Sequence, residues 1–102
     1  MYQGNNITWK RFNMDKLKEI KIQRVQTGVR IEKRMLKVLK ALAEVHDITL
    51  GDLLEAIVLH SFEGVSPFHD QGLEKISMLK QIYGMDYDAS ASHRFVEEAE
   101  KM

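Results

Sequence analysis

The run Ile22-Gln23-Arg24-Val25-Gln26-Thr27-Gly28-Val29-Arg30-Ile31 decides how this chain is read, because its polarity alternates from Arg24 onward. Val25, Thr27, Val29 and Ile31 fall on one side and Arg24, Gln26, Gly28 and Arg30 on the other, the period of two of a half-buried β-strand. At Glu32 the period changes. Met35, Leu36, Val38, Leu39, Leu42 and Ala43 recur at steps of three and four, with Lys33, Arg34, Lys37 and Lys40 between them, which predicts an amphipathic helix. His46-Asp47-Ile48 interrupts this pattern, and Thr49 has the chemistry of an N-cap, with Asp52 near the positive end of the helix it opens. Leu50, Leu53, Leu54, Ile57, Val58 and Phe62 cover more than one face of that second helix, so burial on both sides is expected.

Further out, Gly64-Val65-Ser66-Pro67 holds the chain's only proline and marks a break. Beyond it, Leu73, Ile76, Leu79, Ile82 and Tyr83 form a helical stripe ending at Gly84, a glycine suited to closing a helix. Asp86 to Ser92 offers several caps before a last helical pattern with Phe95, Val96, Ala99 and Met102. Upstream, Asn13 either caps a short helix carrying Leu17 and Ile20 or belongs to an ordered arm. The expected organisation is a basic N-terminal arm or short helix (residues 1–21), a strand with two helices (22–63), and an acidic helical extension (64–102).

At 102 residues, 44% hydrophobic and 29% charged, the chain is one small globular domain, which excludes wholesale disorder and collagen-like structure. No uncharged apolar run approaches the ~20 residues that cross a bilayer, and the N-terminus lacks an apolar block of signal-peptide length, so a cytoplasmic protein is expected. Without cysteine there is no disulfide, no thiolate nucleophile and no Cys-ligated metal. The net charge of zero conceals a division: residues 1–40 carry eleven Lys/Arg against three Asp/Glu, net +8, and residues 41–102 carry four against twelve, net −8. A basic half of this kind suits a polyanion.

A strand at 22–31 has no partner in residues 1–64, since no second segment there alternates, and an unpaired strand leaves backbone groups open. Two copies pairing these strands antiparallel would close the ladder on a two-fold axis. The expected fold is therefore mainly α, with one short strand paired across an obligate homodimer. Val25, Val29, Ile31, Leu36, Leu39, Leu42, Leu53, Leu54, Ile57 and Val58 would form the dimer core.

Residues 24–63, with the immediate strand-to-helix junction at Ile31-Glu32 and the Thr49-Leu50-Gly51-Asp52-Leu53-Leu54 entry to the second helix, resemble the ribbon-helix-helix repressors, the Arc and methionine-repressor group. That resemblance implies sequence-specific binding of double-stranded DNA by a homodimeric transcriptional regulator, with a two-stranded ribbon in the major groove. It assigns base contacts to Gln26, Gly28 and Arg30, with Arg24 at the flank. The chemistry of Arg on guanine and Gln on adenine agrees with two of these. It implies a phosphate at the start of the second helix, at Thr49, Leu50 and Gly51, and further phosphate contacts from Lys21, Lys33 and Arg34. The sequence departs from the family pattern in three places: Gly28 where a polar reader is usual, Glu32 in place of a frequent proline, and Asp47 in place of a turn glycine.

Two alternatives accompany this expectation. An antitoxin of the same fold would bind a small protein through residues 66–102, and a dimeric interaction module would keep the fold without reading DNA. No enzyme is expected: His46, His60, His69 and His93 are widely spaced, and there is no metal-ligand pair, nucleophile elbow or Gly-rich phosphate loop. Asp86, Asp88 and His93 form the single local group of ligand-type residues, read as a polar turn with a helix cap, and no cofactor or metal is expected.

Overall fold

Glu32 opens the first helix with its own side chain: the carboxylate accepts the backbone N–H groups of Arg34 and Met35, each at 3.1 Å. In the computed structural model, residues 19–98 are described, and the chain divides into two units, residues 1–30 and 31–102. In the second unit α1 (Lys33–Val45), α2 (Leu50–Phe62) and α3 (Asp70–Tyr83) follow in order, and a 3-10 turn occupies Ala89–Ala91. The central helix is α1, which packs more extensively on α3 than on α2. Leu42, Ala43 and Leu53 form the buried cluster, and Leu39, Ile57, Phe68, Ile76 and Leu79 pack around it.

All three helices stop in the same way. A left-handed residue closes each (Asp47 at φ 56°, Gly64 at 72°, Gly84 at 69°), and the next residue's N–H reaches back five positions to a carbonyl. These bonds are Ile48 to Ala43 at 3.0 Å, Val65 to His60 at 3.0 Å and Met85 to Lys80 at 2.8 Å. They satisfy carbonyls that a helix end otherwise leaves without partners. Gly84→Ala should therefore lower stability by about 1 kcal/mol and the Tm by roughly 4–8 °C, a shift that thermal unfolding by circular dichroism will register.

The ribbon-helix-helix expectation is overturned: residues 19–32 hold neither helix nor strand, and no strand occurs among the described residues. Alternation sorts side chains onto two faces once a ladder exists, but it does not supply the ladder's other half. Val25 and Val29, expected inside, are 85% and 74% exposed. Within this single chain Leu53 is the one buried residue of α2, and Val58, Leu59 and Phe62 lie open. Of the other expected core residues, Leu42 is buried, while Ile31, Leu36, Leu39, Leu54 and Ile57 are partly covered. Residues 94–98 form no helix, so the last helical pattern is not realised there, and its Ala99 and Met102, like the Asn13 helix, lie outside the described residues. Among the described residues no helix is long and apolar enough to cross a membrane.

Candidate nucleic-acid interface

Cations dominate residues 21–40, and the structure treats them in two distinct ways. In the first unit Lys21, Arg24, Gln26, Gly28 and Arg30 are all exposed, the polar set that the sequence assigned to DNA bases and phosphates. In the second unit the amphipathic pattern of α1 turns Val38, Leu42 and Ala43 inward, which leaves Lys33, Lys37 and Lys40 exposed. Their spacing of four and three residues puts the three ammonium groups along one helix face. Lys37 and Lys40 were missing from the expected phosphate contacts, although their register with Lys33 is visible in the sequence. The Lys37 Nζ stands 6.0 Å from the centre of the Tyr83 ring, which steadies the middle of this row.

Arg34 is treated differently. Its guanidinium donates to Glu32 Oε2 through Nε at 3.1 Å, and through Nη1 to Asp86 Oδ1 at 3.1 Å and the Gly84 carbonyl at 3.2 Å. Its Cζ also lies 5.3 Å from the Tyr87 ring centre. The Tyr87 hydroxyl donates to Glu32 Oε1, so one carboxylate joins the start of α1 to the segment after α3. Burial alone would raise the Glu32 pKa. The Tyr87 hydroxyl, the two backbone N–H groups and the guanidinium outweigh it and pull the carboxyl down to about 2. Burial and the same hydrogen bond push Tyr87 up to about 12. An arginine with two carboxylate partners is poorly placed to neutralise a phosphate, so Arg34 is a clasp between segments rather than a phosphate contact.

At the start of α2, Thr49 Oγ1 accepts the Asp52 N–H at 3.0 Å, as expected of an N-cap. Space beside Gly51 is open, for an added Cβ would meet only Thr49 Oγ1 at 3.9 Å. The Asp52 carboxylate in the first turn already complements the helix dipole, which makes this end a weaker anion seat than bare geometry suggests. Asp88 caps the 3-10 turn, accepting from Ser90 N and Oγ at 2.9 and 2.7 Å. Among the described residues no three His, Cys, Asp or Glu side chains converge as metal ligands. Compared with family models, curated proteins and solved structures, the chain matches none.

Proposed function

We propose that this protein binds double-stranded DNA as a homodimer and acts as a transcriptional regulator. One observation carries the reading: in residues 21–40 every exposed charge is a cation, and the single carboxylate, Glu32, is closed onto Arg34 and Tyr87. Lys33, Lys37 and Lys40 meet successive phosphates, while Arg30 and Gln26 have the donor geometry to pair with guanine and adenine edges. This reading keeps the residues and dispenses with the ribbon. A second copy is called for because the buried core is small, and Val58, Leu59 and Phe62 of α2 are 44%, 64% and 81% exposed, a contiguous apolar face of the kind that marks protein contacts.

The test is anisotropy titration of labelled duplex from upstream of the protein's own gene, against a scrambled duplex, over a salt series. Arg30→Ala is expected to weaken the native duplex by about 1–3 kcal/mol and to relax preference. Lys37→Gln is expected to leave preference intact and to reduce the log–log salt slope by about one. Weak binding that vanishes equally for both duplexes as salt rises would instead support an interaction module, the reading favoured by the engagement of Arg34 and the missing side chain at Gly28. Recovery of a small protein partner through residues 66–102 would distinguish an antitoxin from a plain repressor.

A further inference from the structure

Between the three helices and the segment that follows α3 lies an open apolar cavity of about 560 Å³, within the range of small-molecule sites. Met35 and Leu39 come from α1, Phe68 and Ile76 from α3 and its approach, and Met85 and Phe95 from the segment after α3. That outer wall is a built element. Tyr87 and Phe95 stack edge to face with centroids 5.1 Å apart, and the Glu32–Arg34–Asp86 clasp fastens the wall to α1. Two methionines in the lining give it a surface that adapts to the shape of an apolar guest.

Polar groups gather on one part of the lining, and they are unevenly matched. Asp88 directs its carboxylate into its own turn, onto Ser90. Lys80, half-buried on α3, forms no close ion pair with any described residue, and its charge acts on the Asp88 carboxylate only at longer range. A lysine that lays its stem along an apolar chamber gains a charge-assisted hydrogen bond when an anion meets its head. The geometry points to a ligand site for a small amphipathic carboxylate, its aliphatic or aromatic body in the cavity and its carboxylate on Lys80. The site is independent of the DNA reading, since no residue assigned to DNA lines the cavity.

Decanoate, below its micelle-forming range, is the probe, titrated into the full chain labelled with ¹³C at the methionine methyls. Met35 and Met85 line the cavity, whereas Met78 is exposed on α3 and absent from the lining, so it serves as the internal control. The expected result is a saturable shift of the Met35 and Met85 signals with Met78 unmoved. Decanol, equal in length but uncharged, should bind about tenfold more weakly. Lys80→Gln should lose the same factor for decanoate and nothing for decanol. The unliganded methionine spectrum of that variant reports whether it is folded. Absence of saturable shifts, parallel movement of Met78, or undiminished decanoate binding by folded Lys80→Gln would each overturn the assignment.

Discussion

Leu42→Ala is expected to lower stability by about 3 kcal/mol and to abolish a cooperative unfolding transition near physiological temperature. Leu42 is 2% exposed, the most deeply buried large side chain described, and it belongs to the cluster that holds α1, α2 and α3 together. Its partners come from separate stretches of chain: Leu53 and Ile57 on α2, Phe68 before α3, and Ile76 and Leu79 within it. Truncation leaves a void that these residues can fill only by shifting inward, against the packing of the helices that carry them. Few other buried groups stand in reserve, since Val38, Ala43 and Leu53 are the remaining buried apolar residues among those described. Urea unfolding followed by circular dichroism measures the effect. A loss under about 1 kcal/mol would mean that the cluster is not the structural centre of the chain.

Glu32→Ala is expected to cost about 2 kcal/mol, the second largest effect. The substitution removes the cap of α1 and the acceptor for the Tyr87 hydroxyl, and it leaves the Arg34 guanidinium with Asp86 and the Gly84 carbonyl alone. Glu32→Gln separates the charge from the cap, because an amide oxygen can still accept an N–H. Since folding holds the Glu32 carboxyl at about 2 instead of the ordinary 4.5, its contribution is complete above pH 4.5 and declines as the pH falls through that interval. Wild-type stability should fall between those values more steeply than that of Glu32→Gln. Parallel pH profiles of the two proteins in urea would show that the clasp does not depend on the ionised carboxylate.

These two sites differ in how far they could be read in advance. The periodicity of α1 identifies Leu42 as an inward residue, and the cap at Thr49 and the stop at Gly84 follow from side chains within a few positions of the helix ends they serve. Glu32 as a residue favourable at a helix start was equally legible. Its bond to Tyr87 spans 55 positions and the Arg34–Asp86 pair spans 52, and no local pattern announces either. Arg34 was accordingly read as one more phosphate contact among its basic neighbours. Asp47 shows the converse. Local turn chemistry tolerates an Asp where glycine is common, and it takes the left-handed conformation at φ 56° that the α1 stop requires.

Local pattern alone announces the three helices of residues 33–83, the Thr49 cap, the Gly84 stop and the division of charge between the two parts of the chain. Each of these depends on interactions within a turn or two of backbone, or on composition alone. Tertiary structure decided the rest. It left residues 19–32 without a ladder and the outer face of α2 open, turned Arg34 into a clasp, and shaped an open cavity lined by Tyr87 and Phe95. The physical reason is that pairing, burial and enclosure each need a second surface, and which segment supplies it is set by how the helices pack, not by the order of residues along any one of them.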